Sequence, residues 1–219
     1  MAQKVVVYVT SEVTLNHDLH FYSGGLGEVA GGIARAAHEL NLPIVGLSLL
    51  YREGYGEQGV DGRGMTYSYK RRSYDHMLNK TGKRCRISLN GVSVYADIWE
   101  CPRGKFGSMP FYFLDTDIDA NNHLGRLNTR HLYGGSSMTG RTMDTMISQS
   151  IVLGVGAVEA MRELGYAVSL FHLNESHAVM TPLYLLYLAL KEGNGLEEAI
   201  ASVRRRVVFT NHTPVDAGN

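Results

Sequence analysis

Short apolar runs alternate along the chain with segments in which apolar residues recur every three or four positions. The apolar runs are rich in β-branched residues and predict buried strands at 4–10, 43–50, 110–114, 168–173 and 206–210. The periodic segments predict helices at 25–40, 142–164, 176–190 and 196–205. This alternation predicts an α/β fold with an open, mostly parallel, Rossmann-like sheet covered on both faces.

The same periodicity predicts how the helices pack. The first helix should turn one apolar face to the core, formed by Val29, Ile33, Ala37 and Leu40. Two glycines inside the helix at 142–164 predict close packing against a neighbouring element. The segment 176–190 is apolar nearly all round, which predicts a buried helix bent at Pro182.

The region from about 55 to 108 differs in character, since it is rich in glycine and in short alternating runs. Asn90-Gly91 separates two such runs and is typical of a two-residue hairpin turn. We therefore expect an antiparallel excursion off the main sheet. The polar stretch from Asp115 to about Gly140 predicts a long loop of the kind that carries function.

Composition narrows the class of protein. The 219 residues are 44% hydrophobic and 19% charged, which fits one globular unit over 1–219. Lys and Arg number 21 and so do Asp and Glu, so no basic excess points to nucleic acid or an anionic membrane. Cys85 and Cys101 lack a CxxC spacing and no secretory signal is recognised, which favours free thiols and a cytoplasmic location. No metal site is expected, because His172 and His177 are too far apart for a zinc pair on one helix.

The segment 22–27 (YSGGLG), hereafter the glycine loop, leads directly into the first helix. Its glycines let a ligand approach, and the amides of the first helical turn favour a negatively charged group. The loop therefore predicts contact between the main chain and a phosphate or a sugar oxygen. Residues 25–30 (GLGEVA) also fit a dinucleotide fingerprint, but about a dozen residues separate them from the strand. A closely packed helix start is the alternative interpretation.

Two further polar motifs follow predicted strands. The motif 172–177 (HLNESH) contains Glu175 and lies between a strand and a helix, where Asn174 or Ser176 could cap the helix. The motif 210–214 (TNHTP) follows the last strand. Since ligands of open α/β sheets bind at the carboxyl ends of the strands, we expect these motifs and the glycine loop to converge on one crevice. A capping segment with a satisfied histidine is the alternative for 172–177.

Seven motifs in this order resemble the α-glucan phosphorylases, the family of glycogen, starch and maltodextrin phosphorylases, and above all its short bacterial and archaeal type. They are Ser11-Glu12, 22–27 (YSGGLG), 49–55 (LLYREGY), 132–135 (LYGG), 151–154 (IVLG), 172–177 (HLNESH) and 209–215 (FTNHTPV). The resemblance implies the N-terminal half of a GT-B glycosyltransferase, with the active site between two domains. It also implies reversible phosphorolysis of α-1,4-glucan to glucose 1-phosphate, with pyridoxal phosphate as cofactor.

The resemblance also implies roles for individual residues. The catalytic contacts are those with the substrate phosphate and the transferred glucosyl unit. The resemblance implies that they are made by Gly24, Gly25, Leu26 and His212. Contacts with the acceptor glucan fall on Glu12, Glu175, His177 and Thr213. Tyr51 and Arg52 match the family pattern without an assigned role.

The last of these motifs is close to Asn219, so the resemblance implies that the pyridoxal phosphate domain and its lysine lie outside this chain. We therefore expect an N-terminal, glucan-side domain that is inactive alone, whose partners are α-glucan or maltooligosaccharide, phosphate or glucose 1-phosphate, and the missing C-terminal domain. One alternative is half of a glycogen or starch synthase, although those enzymes usually have Lys-Thr where Tyr22-Ser23 stand here. Another is a non-catalytic module that binds glucan or a partner, for which a homodimer is one arrangement.

Overall fold

The computed structural model describes residues 4–134 and 143–212. Its strands are β1 (Val5–Thr10), β2 (Ile44–Leu49), β3 (Glu57–Asp61), β4 (Gly64–Ser68), β5 (Asn79–Leu89), β6 (Val92–Cys101), β7 (Phe111–Asp115), β8 (Val168–Asn174) and β9 (Val207–Thr210). Its α-helices are α1 (Gly25–Glu39), α2 (His123–Leu127), α3 (Met143–Leu164), α4 (Met180–Lys191) and α5 (Leu196–Arg204).

Seven strands form the main sheet in the order β5-β6-β7-β2-β1-β8-β9. The five strands from β7 to β9 run parallel to one another, which confirms the predicted mostly parallel α/β fold. Among the five parallel strands, chain order runs outward from β1 through β2 and β7 on one side and through β8 and β9 on the other, so the strand order reverses between β1 and β8. Ligands of open α/β sheets bind in the crevice at such a switch point, outside the carboxyl ends of the strands.

The predicted hairpin is present, but it extends the main sheet instead of leaving it. Asn90 and Gly91 join β5 to β6 with φ angles of 49° and 78°, as a two-residue hairpin turn requires. Strand β6 then pairs antiparallel with β7, so the main sheet continues through this hairpin. Only β3 and β4, among the described strands, pair as a separate two-stranded ribbon.

Helix α1 packs mainly through small residues, so the predicted apolar face is correct for Ala37 and Ile33 but wrong for Val29 and Leu40. Val29 and Leu40 are 41% and 69% exposed. The buried positions are Gly27, Ala30, Gly31, Ala34 and Ala37. A Cβ atom on Gly31 would lie 2.3 Å from the carbonyl oxygen of Thr14. The helix therefore approaches the segment after β1 more closely than larger side chains would allow.

Helix α3 shows the close packing that its glycines predict. A Cβ atom on Gly154 would lie 2.7 Å from the backbone nitrogen of Thr181 at the start of α4. A Cβ atom on Gly156 would lie 2.5 Å from the side chain of Leu114 in β7. The helix therefore contacts both α4 and the sheet at glycines.

Helix α4 differs from its prediction in two ways. It begins at Met180 and not at Ser176, so Pro182 lies in its first turn, where the missing N–H costs no helical hydrogen bond. The helix is also not fully buried, since Leu183 and Tyr187 are 56% and 54% exposed. Its all-round apolar character leaves an apolar face uncovered in this chain.

Cys85 and Cys101 are buried free thiols, as predicted. No helix within the described ranges is long and apolar enough to cross a membrane. Over the same residues, no group of three or more His, Cys, Asp or Glu side chains could hold a metal ion. The predicted loop after β7 contains α2 and the 3-10 turn Leu132–Gly134, while its remainder from 135 lies outside the described residues.

Candidate active-site crevice

The predicted site residues come together at the carboxyl ends of β1, β8 and β9. Glu12 follows β1, Glu175 follows β8, and His212 lies two residues beyond the end of β9. The glycine loop connects the segment after β1 to α1. Thr213 lies outside the described residues.

Glu12 fixes the shape of the glycine loop. Its side chain is buried, and its carboxylate accepts hydrogen bonds from the Ser23 amide at 2.6 Å, the Ser23 hydroxyl at 3.0 Å and the Gly24 amide at 3.3 Å. Hydrogen bonds to a carboxylate are stronger than those between neutral groups. Glu12 therefore holds the loop against the strand end, and a direct contact between its carboxylate and glucan would have to replace one of these bonds.

The next two amides of the loop, unlike those of Ser23 and Gly24, do not donate to Glu12. The amides of Gly25 and Leu26 have no hydrogen-bond acceptor among the described residues. Cβ atoms on Gly24 and Gly25 would meet nothing within 4 Å, so the loop is open on this side. Both amides lie in the first turn of α1, where the helix dipole favours negative charge. Gly25 and Leu26 can thus donate to an oxyanion, whereas the Gly24 amide already donates to Glu12.

Tyr133 connects the glycine loop to His177. Its hydroxyl donates a hydrogen bond to Glu12, and its ring lies 5.0 Å from the ring of His177. Its φ angle of 56° is in the left-handed region, which is unusual for a large side chain. Burial, followed by the nearby Glu12 charge, raises the pKa of Tyr133, so the hydroxyl remains a donor at neutral pH. Tyr133 belongs to the family-like motif 132–135, but no role was predicted for it, since it lies 121 positions from Glu12 in the sequence.

Glu175 links β8 to the segment that follows β9. It is 2% exposed and has a φ angle of 65°, a backbone conformation that costs about 1–3 kcal/mol for a residue other than glycine. Its Oε1 atom accepts a hydrogen bond from the His212 amide at 2.6 Å, and its own amide donates to the Thr210 carbonyl at 2.9 Å. Glu175 therefore positions the backbone of His212.

The ring of His212 is oriented by Asn174. The Nε2 atom lies 2.9 Å from Oδ1 of Asn174, and an amide oxygen can only accept, so Nε2 donates. Asn174 Nδ2 in turn donates to the Thr10 hydroxyl at 3.1 Å. The prediction that Asn174 caps a helix is wrong, because its side chain faces the neighbouring strand β1. In the neutral ring, Nδ1 of His212 is left as an acceptor for a substrate hydroxyl.

These contacts form one continuous network. Thr10 donates to the Glu12 carbonyl at 2.9 Å, which joins the His212 side of the crevice to the glycine loop. The Glu12 carboxylate and Tyr133 continue the network to His177. The crevice thus has amide donors at one end and histidines at the other, an arrangement suited to binding sugar hydroxyls and an oxyanion.

His172 lies beside this network and was not predicted as a site residue. Its Nε2 atom is 2.7 Å from the Thr210 hydroxyl, and its ring packs edge-on against Tyr8 at 5.1 Å. Burial, and to a smaller extent the charge of His212, lowers the pKa of His172. The ring is therefore held in the neutral form and supports the strand ends under the crevice.

The lysines of the chain do not fit pyridoxal phosphate, whose Schiff base needs a lysine at the site. Three lysines bond elsewhere: Lys70 to Glu57, Lys80 to Asp75, and Lys83 to the Glu163 carbonyl. Lys105 lies over the ring of Phe106. Lys4 precedes β1 at the opposite edge of the sheet, and Lys191 ends α4 on the surface. No cofactor contact is therefore assigned to this chain.

The family-like motif at 49–55 has a supporting role in this structure. The hydroxyl of Tyr51 donates to the carbonyl of Ser11 at 3.0 Å, next to Glu12. The guanidinium of Arg52 pairs with the fully buried Asp115 at the end of β7. Burial raises the pKa of Asp115, although Arg52 opposes this shift. These two residues thus stabilise the loops around the crevice from below.

Comparison with known proteins gives both a family and relatives. Residues 5–212 match the family model described as the starch synthase catalytic domain. The chain is 36% identical over 217 residues to an uncharacterized protein of Methanocaldococcus jannaschii, covering 99% of this chain and 38% of that protein. It is 31% identical to the maltodextrin phosphorylase of Thermococcus litoralis, covering 99% of this chain and 26% of that enzyme.

The glycogen phosphorylase of Aquifex aeolicus is also 31% identical, with 97% of this chain and 31% of that enzyme covered. These matches confirm the resemblance to α-glucan phosphorylases. The chain spans between about a quarter and two fifths of the length of these relatives.

Proposed function

The chain belongs to the glycosyltransferase family of the starch synthase catalytic domain, with α-glucan phosphorylases among its relatives, and on that premise we propose that it forms the glucan-side part of an α-1,4-glucan phosphorylase. The reaction transfers a terminal glucosyl unit from the glucan to phosphate and yields glucose 1-phosphate. The observation that carries this proposal is the network that joins the glycine loop to His212 through Glu12 and Asn174.

Each end of the network has a role in the proposed reaction. The amides of Gly25 and Leu26 donate to a phosphate or sugar oxygen, since they are the open donors of the loop. The ring of His212, fixed by Asn174, binds a hydroxyl of the transferred glucosyl unit. The acceptor glucan binds next to His177, whereas the buried Glu175 acts through the backbone of His212, and the predicted glucan contact of Thr213 lies outside the described residues.

Catalysis in the proposed enzyme requires groups beyond those that the described residues supply. Phosphate transfer depends on positive charge near the phosphate, and no lysine or arginine of the described residues makes a hydrogen bond or ion pair with Glu12, Asn174 or His212. In the proposed enzyme, pyridoxal phosphate and its lysine come from the remaining part of the protein. When bound, the cofactor supplies a phosphate group as acid–base partner. The chain alone should therefore be inactive in phosphorolysis.

An apolar surface that is exposed among the described residues supports the proposal that the remaining part of the protein binds there. We use the name α4–β9 surface for two sets of exposed apolar side chains, which are Val179, Leu183, Tyr187 and Leu190 along α4, and Val208 and Phe209 on the two faces of β9. These side chains are between 41% and 56% exposed, and β9 is the edge strand of the described sheet. Exposed apolar residues of this number favour a protein partner over bare solvent.

A starch or glycogen synthase half is the second candidate, favoured by the description of the matched family model. Synthases transfer glucose from a nucleotide sugar, so their loop must meet a diphosphate. Here Ser23 at the corresponding position is bonded through both its amide and its hydroxyl to Glu12. This inward orientation, and the absence of a lysine in the loop, favour the phosphorylase.

Calorimetry on the isolated chain separates the two candidates. We expect maltoheptaose to bind and ADP-glucose not to bind, and we expect His212→Ala to abolish the maltoheptaose signal. His76→Ala, a change of an exposed histidine after β4, is the matched control and should bind as the wild type does. If ADP-glucose binds and this binding depends on His212, the chain is half of a synthase and not of a phosphorylase.

A coupled assay for glucose 1-phosphate tests the claim of inactivity. The isolated chain, incubated with maltodextrin, phosphate and added pyridoxal phosphate, should release none. Sustained release that is lost in His212→Ala would show that the chain holds a complete active site. That result would leave the assignment as a phosphorylase intact and remove the need for a second part.

A further inference from the structure

A recess lined by arginines lies at the carboxyl edge of the sheet, on the β7 side and away from the crevice. It encloses about 250 Å³ between the loop after β2, the loop before β5 and helix α2. Its lining residues are Glu53, Arg71, Asp117, His123, Arg126, Leu127 and Arg130. We call it the arginine recess; it shares no residue with the network around Glu12 and His212.

Two buried carboxylates hold the arginines in place. Asp117, whose side chain is 6% exposed, pairs with Arg71 and with Arg126, the latter at 2.7 Å. Glu53, whose side chain is 10% exposed, pairs with Arg130 at 2.8 Å. Because each guanidinium is tied on one side to a fixed carboxylate, its orientation is set before any ligand binds, which lowers the entropic cost of binding.

The same pairs leave donors open toward the recess. Arg71 uses only Nη1, Arg130 only Nε, and Arg126 Nε and Nη1 in hydrogen bonds to other described residues. A guanidinium has five N–H donors, so each arginine keeps several without a described acceptor. Three arginines against two carboxylates also give the lining residues a net charge of one positive, while the fully exposed Asp119 pairs with Arg126 at 3.3 Å from outside the lining.

We propose that the arginine recess binds a phosphate oxyanion, either inorganic phosphate or a small phosphomonoester, at a site separate from the crevice. Planar guanidinium groups with paired donors match the oxygens of a phosphate, and three of them surround one space here. The volume is below the roughly 300–1,000 Å³ typical of pockets for drug-sized ligands, so it suits a small ligand. The two carboxylates do not oppose binding, because both are neutralised by the arginines they hold.

The site is tested by following the Nε–H signals of the arginine side chains in NMR spectra while phosphate is added. Sodium chloride at equal ionic strength is the control for screening. We expect saturable shifts for Arg71, Arg126 and Arg130 with phosphate and none with chloride. Glucose 6-phosphate in a second titration distinguishes a phosphomonoester from the free anion as the better ligand.

Variants locate the binding. Arg126→Gln and Arg130→Gln should each weaken phosphate binding about tenfold or more, since each removes a charged hydrogen-bond donor. The matched control is Arg84→Gln, which removes an arginine of similar exposure from its ion pair with Asp97 on the β5–β6 hairpin and should leave the affinity for phosphate unchanged. Should Arg126→Gln fail to fold, Arg126→Lys keeps the charge beside Asp117 but loses the planar donors, and it should also bind more weakly.

Two results would contradict the proposal that the arginine recess binds phosphate. One is phosphate binding of unchanged affinity in both glutamine variants, which would place the anion elsewhere, for example at the glycine loop. The other is the same shifts with chloride as with phosphate, which would reduce the effect to screening. Neither result affects the expected binding of maltoheptaose in the crevice. The phosphate site and the proposed function are therefore tested independently of each other.

Discussion

At the scale of single residues, the crevice contains backbone conformations that cannot be predicted from the residue types at those positions. Glu175 and Tyr133 both have positive φ angles although neither is glycine. Each is fixed by a specific bond, Glu175 to the His212 amide and Tyr133 to Glu12. The position of the motifs after predicted strands was enough to place Glu175 and His212 at the carboxyl edge of the sheet. Tyr133 could not be inferred from spacing, because its partner is remote in sequence and only the fold brings them together.

The buried pair of Arg52 and Asp115 gives a prediction about stability. The side chains are 13% and 1% exposed, so Arg52→Met leaves an uncompensated buried carboxylate. We expect a loss of about 3–5 kcal/mol in the free energy of unfolding, measured by urea denaturation. The double variant Arg52→Met/Asp115→Asn removes both charges and should regain part of the loss. A double variant as unstable as the sum of both single variants would contradict this account.

His172 gives a prediction about pH. Its pKa is lowered in the folded state, mainly by burial, so the neutral form is favoured by folding. The resulting stability is fully present above the unfolded pKa of about 6.5 and is lost as the pH falls toward the folded value. His172→Gln keeps a partner for Thr210 but does not titrate. The free energy of unfolding should therefore fall less between about pH 7.5 and pH 5 in this variant than in the wild type.

His20 and His131 also have lowered pKa values, so some loss of stability at acid pH should persist in His172→Gln. Replacing the exposed His76 by Gln is the control and should leave the pH dependence as it is in the wild type. Identical pH dependence in the wild type and His172→Gln would show that His172 does not contribute.

At the scale of secondary-structure elements, the sequence pattern placed the long helices well and predicted the close packing of α3, but it misjudged the packing of α1 and α4. The predicted face of α1 assumed that the largest apolar side chains point inward. The structure instead buries Ala30, Gly31 and Ala34, because the helix lies directly on the backbone of the segment after β1. A pattern of hydrophobicity carries no information about how near the neighbouring backbone lies, so this packing was not predictable.

Two adjacent glycines of α1 make this packing testable. A Cβ atom on Gly31 would lie 2.3 Å from the Thr14 carbonyl oxygen, while one on Gly32 would meet nothing within 4 Å. Gly31→Ala should therefore destabilise the protein by about 1–3 kcal/mol through overpacking. Gly32→Ala should stabilise it by about 0.5–1 kcal/mol, because alanine is the better helix former. Equal melting-temperature shifts for the two variants would contradict the packing described.

At the scale of the whole molecule, the strand and helix alternation was sufficient to predict the mostly parallel sheet and the edge at which the motifs meet. It did not predict that the β5–β6 hairpin continues the sheet, because strand pairing depends on the free edge of β7. It also predicted full burial of α4, whereas Leu183 and Tyr187 are exposed. The hydrophobic pattern of α4 indicates that its side chains are to be buried against protein. It does not indicate whether the residues that bury them belong to the same chain.

The α4–β9 surface gives a prediction about association. With Tyr187 and Phe209 each at least half exposed, the isolated chain should self-associate as its concentration rises. Sedimentation velocity should show this, and Tyr187→Lys/Phe209→Lys should shift the equilibrium to monomer. Leu124→Lys, a change of an exposed leucine on α2, is the control and should have no effect. Association that is unchanged in the double lysine variant would place the contact on another surface.

The central claim is that glucan binds where the glycine loop, His177 and His212 meet. The most direct measurement follows the ring signals of all nine histidines by NMR while maltoheptaose is added. The account predicts saturable shifts for His177 and His212, and none for His38 on α1 or His123 on α2. Absence of any shift, or shifts confined to His38 and His123, would contradict it.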